Sequence, residues 1–202
     1  MKVVLVTMLF VCSFAAKAQS RIETFLDSTL KELKTQGKVD QTDLKVFLLL
    51  DRFYNEALQS DKGELTGETV GQINEYVVKT KSKNRHLLIL FLMYQEYISS
   101  TAAQGKRADP NYQLAIINLL EREVTSLYDK VPIIVHIYKA EALQSAGLKN
   151  EAKDLVANTL SQHPNSIPMK VYRFLDTNDE GIRTALLQHH SGHWMVQQFK
   201  IK

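Results

Sequence analysis

From residue 20 onward the apolar side chains recur at helical spacing, and no stretch alternates as a strand would. Ile22, Phe25, Leu26, Leu30 and Leu33 fall on one stripe, which Gly37 can close with a left-handed turn. A second helix is expected from about Asp40 or Thr42, carrying Leu44, Phe47, Leu48, Leu50, Phe53, Ala57 and Leu58. That apolar face is too wide for one neighbour, so cover from both sides is expected. Thr66 introduces a weaker helix with Val70, Ile73 and Val77. His86 to Tyr94, HLLILFLMY, then puts eight apolar residues in succession. The run is too short for a bilayer span and suits the central helix of a stack, continuing to about Ala103.

The second half of the chain carries clearer punctuation. Asp109 is a good N-cap and Pro110 fits the first helical position, opening a helix that turns Leu114, Ile117, Leu120, Val124 and Leu127 inward. Pro132 opens the next. Pro168 starts a short helix through Val171, Phe174 and Leu175, and Thr177-Asn178-Asp179-Glu180 reads as a capping box for one with Ile182, Leu186 and Leu187. Gly192 breaks it. A final segment, His193 to Ile201, is expected to lid the open end of the stack through Trp194, Val196 and Phe199.

The first residues follow a different pattern. Lys2 precedes an apolar stretch from Val3 to Phe14, and Ala16-Lys17-Ala18 is a small-x-small cleavage site. Residues 1–18 therefore read as a signal peptide. The mature chain is expected to begin at Gln19, as one domain over 19–202 without a transmembrane helix, in the periplasm or secreted. Cys12 follows Phe10-Val11 inside the apolar run, which is wrong for lipidation. It is the sole cysteine, so the mature protein has no disulfide, thiolate metal site or cysteine nucleophile. Cleavage removes Lys2 and Lys17, leaving 23 basic against 22 acidic residues and a formal charge of +1 in place of +3. Near-neutrality argues against a nucleic-acid partner, which needs a concentrated basic face.

The segment 133–166, IIVHIYKAEALQSAGLKNEAKDLVANTLSQHPNS, is the most regular in the chain. Ala140 on its first helix and Ala152 on its second allow two antiparallel helices to approach closely, with Leu143, Leu155 and Val156 filling the adjoining space. Gly147 permits the turn and Pro164 ends the second helix. This resembles the tetratricopeptide repeat (TPR), whose period is about 34 residues. Ala140, Leu143, Gly147, Ala152, Val156, Leu160 and Pro164 stand where that family has matching types. His136 departs from it at a position usually held by a large aromatic, Lys139 replaces a leucine and Thr159 an alanine. Neighbouring segments match by helix pattern alone.

The resemblance implies an all-α fold: a short right-handed solenoid of helix hairpins with a capping C-terminal helix. It also implies that a protein or peptide partner lies in the groove lined by the first helix of each unit. In the clear repeat that set is Ile134, Ile137, Tyr138, Glu141, Gln144 and Ser145. It lacks the Lys/Asn cluster with which some members clamp a carboxylate, which suggests an apolar partner, extended or helical. Ile134 and Ile137 can equally be core, packed on the preceding helix.

Other chemistry is sparse. His189, His190 and His193 form one metal-like cluster, His-His-x-x-His, interrupted by Ser191-Gly192 and lacking an acidic ligand between them. A surface cluster at a helix end explains it as well. The basic run Lys79, Lys81, Lys83 and Arg85 could touch an anionic surface or serve as a solvated connection. Glu121/Glu123 and Asp176/Asp179 are acidic pairs that helix surfaces and caps explain, and no nucleophile elbow, metalloprotease motif or phosphate loop is present. The expectation is an exported scaffold without enzymatic activity or cofactor. A small-molecule or metal-binding envelope protein using the histidine-rich end is the alternative.

Overall fold

The computed structural model describes residues 2–202, with side chains from Gln19 onward. The signal-peptide expectation falls on residues 1–18, whose side chains lie outside the described residues. The chain is all-α, 74% helical, with no strand among the described residues. Its helices are α1 (Lys2–Gln36), α2 (Lys45–Phe53), α3 (Gly67–Val78), α4 (Arg85–Ala103), α5 (Pro110–Tyr128), α6 (Ile133–Ser145), α7 (Lys149–Gln162), α8 (Ile167–Thr177), α9 (Glu180–His190) and α10 (Trp194–Gln198). Among the described residues, no helix is long and apolar enough to cross a membrane.

Local chemistry sets most boundaries. The Thr66 hydroxyl accepts from the Thr69 amide at the start of α3, Asp109 accepts from Asn111 at α5, and Ser166 from Met169 at α8. At α9 the capping residue is Asp179, whose carboxylate accepts from the Ile182 amide. Thr177, the expected start of a capping box, instead closes α8 and accepts from the Asp179 amide. Gly147, at φ +78°, makes the turn between α6 and α7, and the Leu148 amide returns to the Leu143 carbonyl at 2.9 Å. So short a turn brings α7 back antiparallel to α6. Ala140, Leu143, Ala152 and Val156 are all buried in that hairpin. Pro164 lies exposed just beyond the end of α7.

From α4 to α9 each helix packs against the next, and α1 lies on α4 and α5. The core runs through the whole stack, with Leu87, Leu88, Leu90 and Phe91 of α4 at its centre. One element departs from a plain succession of hairpins. α2 continues as a π-helical segment, Tyr54–Gln59, and this arm touches alternate helices: α2 contacts α4 and α6, and its extension contacts α8. Phe53 meets Phe91 edge-on at 4.9 Å, and Phe91 leads on to Tyr138 at 5.9 Å. Gln59 fastens the far end, accepting from the Ile167 amide and donating to the Asn165 carbonyl, both at 3.0 Å.

Four amphipathic readings are corrected by this packing. α2 buries Val46, Phe47, Leu49 and Leu50, while Leu44 and Leu48 face outward, Leu48 being 59% exposed. The second side of its wide apolar face is therefore uncovered. Phe25 of α1 points to solvent, as do Val70 and Val77 of α3 and Leu175 of α8. In each case the neighbouring helix covers an arc narrower than the apolar stripe.

Candidate functional site

Buried Tyr94 of α4, Tyr138 of α6 and Tyr172 of α8 surround one acidic group, the Glu141 carboxylate. The Tyr172 hydroxyl donates to Glu141 Oε1, and the Tyr94 hydroxyl donates to the Tyr138 carbonyl at 3.2 Å. Tyr94 and Tyr138 pack at 5.3 Å between ring centroids. Burial pushes the Glu141 carboxyl above its ordinary value, with the Tyr172 hydrogen bond pulling the other way. The same burial, together with the Glu141 charge, raises the Tyr172 phenol well above its usual range.

Glu141 opens onto a cleft of about 560 Å³ between α6, α7, α8 and the chain terminus. Gln144 and Ser145 continue its α6 wall, Lys149 and Lys153 form the α7 side, and Tyr172, Leu175 and Asp176 the α8 side. Phe199, just past α10, closes the end and stands edge-on to Tyr172 at 6.5 Å. Lys153 is paired with Asp176 at 2.8 Å. The volume is that of an ordinary ligand pocket.

The groove set expected from the resemblance is thus divided. Ile134 and Ile137 are fully buried and Tyr138 is 8% exposed, so these three are core. The α2 arm, lying across α4, α6 and α8, occupies the face on which a partner was expected. Glu141, Gln144 and Ser145 line the cleft that remains open. Lys149, Lys153, Leu175 and Phe199 were not singled out as its walls. They come from three separate elements, and no local spacing signals their convergence.

The histidine cluster does not converge. His193 is 0% exposed, its Nε2 donates to the Leu58 carbonyl at 3.0 Å, and its Nδ1 accepts from the Met195 amide at 3.2 Å. Both ring nitrogens are thereby committed, as N-cap of α10 and as tether to the α2 arm. His189 is exposed, and its ring centroid stands 6.3 Å from that of His190. Among the described residues no group of three His, Cys, Asp or Glu side chains is placed to hold a metal ion.

Of the basic run, Lys79, Lys83 and Arg85 have structural partners, as do Glu121 and Glu123. Lys83 reaches Asp40 at 2.9 Å, Arg85 closes α3 through the Tyr76 and Val77 carbonyls, and Lys79 pairs with Glu75. Glu121 pairs with Lys139 and Glu123 with Lys34. A second concavity, of about 650 Å³, lies between α2, α3 and the basic loop. Its wall holds Lys45, Arg52, Lys81 and Lys83 beside Asp43 and Glu75, an excess of two cations, of which Arg52 is paired with Glu68 and Lys83 with Asp40. No protein-family model matches the sequence, and no curated protein or solved structure matches it significantly.

Proposed function

We propose that this chain is an exported TPR-like scaffold that binds a peptide segment of another protein in the cleft beside Glu141. The observation that supports it most directly is the open end of the α6–α8 face. Three residues of the expected groove, Glu141, Gln144 and Ser145, line a cleft of peptide side-chain size there. The α6–α7 hairpin, with its small buried residues and its Gly147 turn, supports the TPR-like reading. The scaffold differs from a plain solenoid in carrying its own α2 arm across the inner face, which restricts a partner to the far end. The Lys2–Ala18 pattern supports export, to the periplasm or beyond.

Two measurements test this. N-terminal sequencing of the protein recovered from an envelope or culture fraction is expected to begin at Gln19; an intact Met1 there would reject export by cleavage. Cross-linked protein from the same fraction is then immunoprecipitated and read by mass spectrometry, beside the double variant Gln144→Arg, Ser145→Arg. Both side chains are exposed, so the variant leaves the core intact. A partner enriched with the wild type and lost with the variant supports the scaffold. A partner retained by both places the interface elsewhere.

A further inference from the structure

We infer that the cleft is built to receive a lysine side chain of the partner peptide, its ammonium group on Glu141. The inference rests on the peptide-binding reading above and names what that site recognises. A buried carboxylate ordinarily has a cation beside it. Glu141 has none among the described residues, and its one side-chain donor there is the Tyr172 hydroxyl, at Oε1. The lysines of the cleft do not supply one. Lys153 is held by Asp176, and Lys149 lies exposed on the rim. The Glu141 carboxyl thus sits at the floor of a cavity with one hydrogen bond, from Tyr172, and no cation paired with it among the described residues.

The walls select the rest of the ligand. Leu175 and Phe199 are two of the large apolar side chains left exposed in this chain, 43% and 39% respectively, and both border this opening. Two apolar side chains at the mouth above a carboxyl floor fit an aliphatic stem ending in a cation, on the side of the rim away from Lys149's own helix. Lysine fits better than arginine. A guanidinium pairing through both oxygens would share Oε1 with Tyr172, which already uses one of that oxygen's acceptor sites. An ammonium needs only the other oxygen. The ring faces of Tyr172 and Phe199 add attraction for a cation passing them.

The test uses the full chain and two blocked tripeptides, acetyl-Ala-Lys-Ala-amide and its ε-acetyl-lysine counterpart. Binding is followed by calorimetry and by the aromatic proton resonances of the protein. The lysine peptide is expected to bind saturably, and ε-acetylation, which removes the charge but keeps the stem, to weaken it at least tenfold. Glu141→Gln keeps the acceptor for Tyr172 and is expected to cause the same tenfold loss without lowering the unfolding midpoint. Equal binding of the two peptides, or undiminished binding by a folded Glu141→Gln, overturns the ammonium site. The scaffold reading fails separately. If lysine-free peptides from an array bind and are lost with Gln144→Arg, Ser145→Arg, the scaffold stands and the lysine site falls. If no peptide binds, both fall.

Discussion

Gly63 stands at φ +68° against the face of Trp194, and replacing it with alanine is expected to loosen the tie between the α2 arm and the C-terminal end. A Cβ there would lie 2.8 Å from Trp194 Cδ1, 2.9 Å from Nε1 and 3.1 Å from Cγ. Restoring ordinary contact, at about 3.5 Å, requires the indole to retreat by roughly 0.7 Å. The ring cannot do so freely, because it stacks on His193, which is itself held by the Leu58 carbonyl. The left-handed backbone costs an alanine about 1 kcal/mol, and forcing a packed ring aside about 1–3 more. The sum, roughly 2–4 kcal/mol, corresponds to a fall in Tm of about 5–15 °C for a domain of this size. Gly105 supplies the control: its φ is +66°, but nothing lies within 4 Å of the added Cβ, so Gly105→Ala is expected to cost only about 1 kcal/mol. Trp194 is the sole tryptophan, so urea unfolding followed by its fluorescence reads the affected contact directly. Native emission should shift red in Gly63→Ala and not in Gly105→Ala. Equal losses of stability in the two variants would refute the close approach.

Asn84 is fully buried at φ +55°, and its side chain donates to the Asp40 and Asp43 carbonyls while accepting from the Asp40 amide. Asn84→Ala is expected to cost about 3–5 kcal/mol, and Asn84→Gly about 1 kcal/mol less because glycine tolerates the backbone. Equal costs in urea titrations would mean that the backbone conformation adds nothing. His86 is 3% exposed, and burial, aided by Lys34 and opposed by Glu123, lowers its pKa from 6.5 to about 4. The unfolded chain therefore takes up this proton first as pH falls, and stability should drop by about 3 kcal/mol between pH 6.5 and 4, with no further loss from this group below that. Folded His86→Gln should show a shallower slope over that window; an unchanged slope would assign the proton uptake to other groups. Glu141→Gln is expected to stabilise the free protein only at pH above the ordinary carboxylate range, since a raised acid pKa makes the folded state costlier as pH rises through 4.5. A gain of the same size at pH 3 would show that relief of the buried charge is not its source.

Helix positions were legible in the sequence because their causes are local. The Asp109-Pro110 start, the Thr66 cap and the Gly147 turn each act within a few residues, and all three stand where the chain pattern put them. The small residues of the 133–166 hairpin were readable for the same reason, since Ala140 and Ala152 mark a close approach between neighbours in sequence. Which arc of each helix is covered was not readable. That depends on a partner helix from elsewhere in the chain, so Leu48 faces out where Leu49 faces in, and Ile134, Ile137 and Tyr138 lie in the core. His193 belonged to a metal-like triplet that a surface helix end explained as well, and only the fold shows it buried, with Leu58, 135 residues away, holding its Nε2. The cleft is the extreme case. Glu141, Tyr172 and Phe199 carry no common motif, and their meeting depends on α6, α8 and the chain terminus packing together. Periodicity fixes where a helix begins and which stripe is apolar, because those are short-range steric and hydrogen-bonding constraints. The α2 arm laid across α4, α6 and α8 fixes which part of the stripe meets water, because burial is a property of the whole packed chain.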